Sequence, residues 1–315
     1  MVPIWLLSIR KVKETVPREK LPLLGVAAAF SFLAMMFNVP LPGGTTGHAV
    51  GGTLIAILLG PYAACLAVSV ALLIQALFFG DGGILAFGAN SFNMAFALPF
   101  TGYFVYHGVK KLISSDIIAA GIGSYVGINV AAFCAAVEFG IQPLLFTDAA
   151  GQALYCPYPP SISIPAMMIG HITIFGLAEV IFTTGVLAYL KKTSPDLFQM
   201  TAPASSSKSL FGLLGALILA TPLGLLAAGT AWGEWDVEEL AETDFFGSAL
   251  GYTPSGMENG FSFDVLMPDY AIAGLPDALG YVLSALIGTA LLIIIFKVIA
   301  SFLPAKPSFD TPSQH

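Results

Sequence analysis

Long apolar runs recur from one end of this chain to the other, near residues 22–37, 61–79, 93–109, 117–137, 161–190, 210–230 and 278–302. Each of the longer ones approaches the roughly 20 residues that an α-helix needs to cross about 30 Å of hydrocarbon. The runs do not alternate apolar and polar positions, as the strands of a membrane β-barrel must. Only 10% of the residues are charged, against roughly 25% in a soluble domain. The mean hydropathy is +0.85. The sequence predicts an all-α, polytopic helical protein of a cell membrane, surrounded by lipid and with no nucleic-acid partner.

Charge placement supplies a topology, because Lys and Arg are retained on the cytoplasmic side. The 12 basic residues run from Arg10, Lys11, Lys13, Arg18 and Lys20, through Lys110, Lys111, Lys191, Lys192 and Lys208, to Lys297 and Lys306. These clusters are expected in the cytoplasm. The stretches 38–60, 80–93, 138–160 and 231–277 carry no basic residue and are expected to form outward loops or cavities. Between the outside near residue 45 and the inside at Lys110 the chain must cross an odd number of times. Segments 48–59, 61–79 and 93–109 supply three crossings. The first is too short for a full span and starts with Gly51 and Gly52, so it reads as a shortened or re-entrant helix, which is tolerated only where it lines a protein-enclosed cavity.

At the N-terminus, Met1 to Ile9 are largely apolar but only nine residues precede the basic cluster. That is the inner half of a membrane helix, which implies either a start upstream of Met1 or a tolerated half-helix. A signal peptide is excluded because its basic residues would precede the apolar run. Residues 194–208 are polar, Ser-rich and Pro-bearing, and read as a linker. They divide a first region, 1–193, from a second, 209–303, which is followed by a tail at 304–315. The second region holds two apolar runs around the segment 231–277, where Glu234, Asp236, Glu238, Glu239, Glu242, Asp244 and Asp269 collect. That segment is either a solvated acidic loop or a funnel that concentrates divalent cations. Cys65, Cys134 and Cys156 show no ligand spacing and read as packing residues.

The chemistry is expected in Asn38-Val-Pro-Leu-Pro-Gly-Gly-Thr-Thr-Gly-His48-Ala-Val-Gly-Gly-Thr53, an irregular, charge-free stretch with one strong metal ligand. His48 is the candidate ligand, with Thr45 and Thr46 beside it. Gln75 and Asp81, followed by Asn90, Ser91 and Asn93, place amides, a carboxylate and a hydroxyl between apolar flanks. They either support the loop and orient His48 or cap helices. His171 and Glu179, eight residues apart, fall on one helical face and read as a structural His–Glu pair or as groups that support or gate the site. His107 sits beside Lys110 as an interfacial residue, and His315 is terminal.

Met35-Met-Phe-Asn-Val-Pro-Leu-Pro-Gly-Gly-Thr-Thr-Gly-His48, Gln75-Ala-Leu-Phe-Phe-Gly-Asp-Gly-Gly-Ile-Leu-Ala-Phe-Gly-Ala-Asn-Ser-Phe-Asn-Met94 and Gly170-His-Ile-Thr-Ile-Phe-Gly-Leu-Ala-Glu179 resemble the nickel/cobalt substrate-binding component of energy-coupling factor transporters. The resemblance extends over about residues 1 to 192. Residues 208–302 more loosely resemble the small two-helix auxiliary subunit of the same systems, here fused. The resemblance implies a core of seven membrane helices plus a two-helix module, with no ATPase activity of its own. It also implies transfer of Ni2+ or Co2+ as substrate to a transmembrane coupling protein driven by two ATPases. The lack of a GxxxxGK[ST] stretch agrees. In the family the metal is held by nitrogens: the terminal amine, the amide and imidazole of a His at position two, and the loop His that matches His48. Such square-planar nitrogen ligation suits nickel. Here Val2 stands at position two, and Met1 to Arg10 align with the second half of the family's first helix. Roughly twenty residues are then expected upstream, as the half-length helix also implies. A gradient-driven secondary metal permease would show inverted repeats, and none is evident. An intramembrane enzyme using His48, Asp81 and Glu179 would need a nucleophile motif or HExxH, and neither is present.

Overall fold

The computed structural model describes the chain apart from residues 18–19, 42–44, 199–206, 228, 236, 238–239, 241–249, 262 and 303–315. Pro42 to Gly44 of the expected loop, most of the linker, Asp236, Glu238, Glu239, Glu242, Asp244, and the tail with His315 lie outside the described residues. Helix α1 spans Val2–Thr15 and α2 spans Leu21–Met35. A two-stranded hairpin follows, β1 Val39–Leu41 against β2 Thr45–Gly47, antiparallel with Val39 opposite Gly47. Helix α3, Gly52–Leu59, has eight residues, as its glycine-led start predicts. Helix α4, Pro61–Ile74, runs on through a π-helical turn at Gln75–Phe79.

Helix α5, Phe87–Asn90, passes through a second π-helical turn, Ser91–Ala97, into α6, Leu98–Lys110. Helix α7, Asp116–Leu145, is capped by the Ser115 hydroxyl, which accepts from the Ile118 amide. It reaches well past the apolar run that ends at 137, so part of the expected 138–160 loop is helical. Helix α8, Pro160–Gly170, joins α9, Gly176–Thr193, through a third π-helical turn at His171–Phe175. The second region contributes α10, Ser207–Ala220, with a 3-10 extension at Thr221–Leu226, and α11, Asp277–Phe302. Among the described residues five helical stretches are long and apolar enough to cross a membrane: 61–79, 116–145, 160–193, 208–226 and 277–302.

Close approach of these helices depends on small residues, as membrane helix packing requires. Gly102 of α6 leaves room for Thr53 of α3, whose hydroxyl would lie 2.0 Å from a Cβ at that position. Gly127 of α7 faces the Leu98 carbonyl, which a Cβ would meet at 2.7 Å. Because that neighbour is backbone, the helices must separate when a side chain is added. Gly127→Val is expected to destabilise the protein by about 1–3 kcal/mol, the usual cost of overpacking. Gly185→Val, where nothing lies within 4 Å, should be tolerated; thermal unfolding in detergent compares the two.

The second region packs directly on the first, with α11 lying along α2. The ring of Phe32 would press on a Cβ at Gly288 at 2.3 Å, so glycine admits it. At one end of the bundle Lys110 and Lys191 both pair with Asp116. Two basic clusters meeting on one carboxylate agree with their assignment to a single side of the membrane.

Candidate metal site

His48 follows β2 directly and precedes the turn into α3. Each side of it is fastened. Upstream, Gly47 packs under Phe175, whose ring would lie 2.7 Å from an added Cβ. Downstream, the Val50 amide donates to Glu179 Oε2 at 2.7 Å, and the Gly51 amide donates to both carboxylate oxygens at 3.1 and 3.0 Å. The Ser31 hydroxyl donates to the Val50 carbonyl at 2.7 Å. Gly51 has φ +71° with Phe30 2.4 Å from where a Cβ would stand, so only glycine fits this bend. Irregular backbone in a membrane chain needs partners within the protein, and here Glu179 supplies them to the Val50 and Gly51 amides and Ser31 to the Val50 carbonyl.

The second region closes the outer edge. The Thr46 amide and the Thr45 hydroxyl both donate to the Thr230 carbonyl, each at 3.3 Å, and Thr46 bridges to Ala231. Inside this frame lies a cavity enclosing about 860 Å³ with its solvent-open mouth, lined among others by His48, Asn93, Met167, His171, Trp232 and Glu234. Burial holds the His48 imidazole below its ordinary value, against the opposing pulls of Asp81 and the Ala49 carbonyl. It is therefore neutral at physiological pH, the form that ligates metals.

His171 shares the cavity with His48. Its Nδ1 lies 2.8 Å from the Met167 carbonyl, so the proton belongs on Nδ1 and Nε2 keeps a free lone pair. The expected His171–Glu179 pair is not formed: Glu179 turns to the loop and His171 to the cavity. The reason is the π-helical turn between them, whose wider winding breaks the eight-residue register of a regular helix. Asn90 and Ser91 stand at the boundary between α5 and the π-helical turn, but neither side chain makes a capping hydrogen bond. Asn90 instead donates to the Gly82 carbonyl at 3.1 Å. Gln75 donates to Asp81 at 2.8 Å and to the Tyr270 hydroxyl at 2.9 Å. The Ser91 hydroxyl is buried without a hydrogen-bond partner.

Asn93 is 4% exposed and donates to Glu138 Oε2 at 2.7 Å, which leaves its Oδ1 buried without a partner. Glu138 was missed by sequence reasoning because the apolar run was closed at residue 137; an acid inside a membrane helix is itself a signal. Trp232 and Tyr270 of the second region carried no such signal. Among the described residues no group of three His, Cys, Asp or Glu side chains is placed to hold a metal ion. His107 is exposed in the last turn of α6, in edge contact with the rings of Tyr103 and Tyr106, and does not line this cavity. Burial pushes the Cys156 thiol up to about 11, in keeping with a packing role.

Residues 1–197 match the cobalt uptake substrate-specific transmembrane region, and residues 206–305 match the PDGLE domain. The chain belongs to the cobalt uptake substrate-specific transmembrane family. It is 48% identical over 300 residues to a probable fused nickel transport protein of Lactiplantibacillus plantarum, covering 95% of this chain and 90% of that one. It is 49% identical over 310 residues to a fused nickel transport protein of Rhodobacter capsulatus, covering 93% and 89%. A crystal structure of a truncated transition metal transporter superposes with a TM-score of 0.59 at 50% identity, covering 61% of this chain and 90% of that chain. Family membership and the five spanning helices make this a multi-pass membrane protein.

Proposed function

We propose that the chain is the substrate-capturing component of an ATP-driven importer of divalent transition metal, taking nickel in preference to cobalt from the outer side. The observation that carries this reading is the His48 imidazole on the wall of a cavity lined by both regions, next to the turn that Glu179 holds. Imidazole nitrogen suits nickel, and the two fused relatives are named for nickel transport. Thr45 and Thr46 tie the hairpin to the second region, and Gln75, Asp81, Asn90 and Asn93 brace the neighbouring helix ends. His171 and Glu179 serve the cavity wall and the loop. Residues 1–193 are the metal-binding part, 194–208 the linker and 209–303 the auxiliary module. With no phosphate-binding loop in the chain, ATP is hydrolysed by partner ATPases acting through a transmembrane coupling protein.

Uptake of radioactive nickel into cells expressing this chain with and without its coupling and ATPase subunits tests the proposal. Accumulation is expected only with the full set. Equal accumulation by the chain alone would instead establish a gradient-driven permease.

A further inference from the structure

A second cavity, sharing few walls with the metal site, opens as a cleft between α2, α3, α9 and α10. It leaves about 520 Å³ of space, counted with its open side, between Leu23 and Ala27 of α2, Leu54 of α3, Leu190 of α9 and Leu210 of α10. Every residue that lines it is apolar. Its wall on α2 runs from Leu23 to Phe30, about 10 Å at roughly 1.5 Å per residue. That is about two-thirds of the roughly 15 Å that one leaflet contributes to the hydrocarbon core. An apolar space of this kind stays free of water, and left empty it would deprive its walls of dispersion contacts. Inside a bilayer the filler that restores those contacts is a hydrocarbon chain.

One end of the cleft lies among the basic residues. Leu190 stands next to Lys191, Leu23 three residues after Lys20 and Leu210 two after Lys208. The Tyr189 hydroxyl donates to the Ser209 carbonyl at 3.2 Å, and the Ser209 hydroxyl reaches the Thr193 carbonyl at 3.5 Å. Lys192 precedes Thr193 and Lys208 precedes Ser209, so this junction of α9 with α10 brings both lysines to the same rim. Lys191 is taken by Asp116, whereas Lys192 and Lys208 stay exposed. Lys20 adds a positive charge and Asp196, beside Leu197 of the cleft wall, a negative one, so the rim remains positive. This is the side on which Lys and Arg are retained and where the leaflet carries anionic lipid. We propose that the cleft holds one acyl chain of an anionic phospholipid of the cytoplasmic leaflet, with the phosphate headgroup against Lys192 and Lys208. The lipid chain completes the packing of α10 on the first region.

The experiment is native mass spectrometry of the purified full chain, released from detergent containing equal amounts of phosphatidylglycerol and phosphatidylcholine with identical palmitoyl and oleoyl chains. The parent is expected to retain one lipid, predominantly phosphatidylglycerol. Lys192→Gln and Lys208→Gln should each lower that preference about fivefold, the weight of one basic residue beside an anionic headgroup. Ala27→Phe, which fills the cleft from its α2 wall, should lose the retained lipid of either kind. Lys111→Gln removes the same charge at an exposed position of the chain away from the cleft and should leave the preference unchanged. Equal retention of the two lipids by the parent, an unchanged preference in the double lysine variant, an equal loss in Lys111→Gln, or a lipid still held by Ala27→Phe would each overturn the proposal. Should Ala27→Phe not fold, the lysine variants, altered at exposed positions, decide it.

Discussion

Glu179→Ala is expected to abolish tight metal binding and to lower the unfolding temperature together. Glu179 is fully buried and, among the described residues, no lysine or arginine pairs with it; its compensation is the Val50 and Gly51 amides. These amides sit at the N-terminus of α3, where backbone N–H groups lack partners within the helix and the positive end of the helix dipole favours a carboxylate. Removing the side chain strands two buried donors at a cost of about 1–3 kcal/mol each. The turn after His48 is then released. Glu179→Gln can set its carbonyl oxygen where Oε2 accepts both amides, but it loses the charge and places an NH2 where Oε1 accepts from Gly51, so an intermediate loss is expected. Nickel binding by equilibrium dialysis and thermal unfolding in detergent are the two measurements. A Glu179→Ala protein that binds nickel as well as the parent would show that the loop does not depend on this carboxylate.

His48→Ala is expected to reduce nickel uptake more than about a hundredfold, beyond the 10- to 100-fold that follows loss of a group merely supporting a ligand. His107→Ala is expected to leave uptake nearly intact. The two histidines differ in surroundings rather than in chemistry. His48 lies in the cavity wall with its ring held neutral by burial, while His107 is exposed in the last turn of α6 near Lys110. Initial rates of radioactive nickel uptake in cells carrying the partner subunits compare them directly. Similar losses for both would sink the assignment of His48.

The glycine-rich stretch around His48 was legible because an irregular, charge-free segment inside an apolar chain has few other uses. Its partners were less so. The spacing of His171 and Glu179 was visible, but their pairing was inferred from a regular helix, and the π-helical turn His171–Phe175 redirected both. Asn93 was singled out among neighbours that looked alike; its pairing with Glu138 of another helix separates it from Asn90, which bonds locally to Gly82. The hydroxyl of Ser91, from the same cluster, has no hydrogen-bond partner.

What the sequence alone determined is what the solvent dictates. In hydrocarbon every backbone amide must be satisfied within its own segment, so apolar runs of membrane length become helices wherever they stand. Basic residues sort to one side, and glycines mark the place where the chain can bend. What the tertiary structure alone decided is which distant group completes each local deficit. Glu179 serves the amides of Val50 across 129 positions, and Gln75 reaches Tyr270 across 195. Such pairings depend on how each helix is rotated about its axis and how deeply it sits. A single π-helical turn or a glycine contact changes both, while leaving composition and hydropathy as they were.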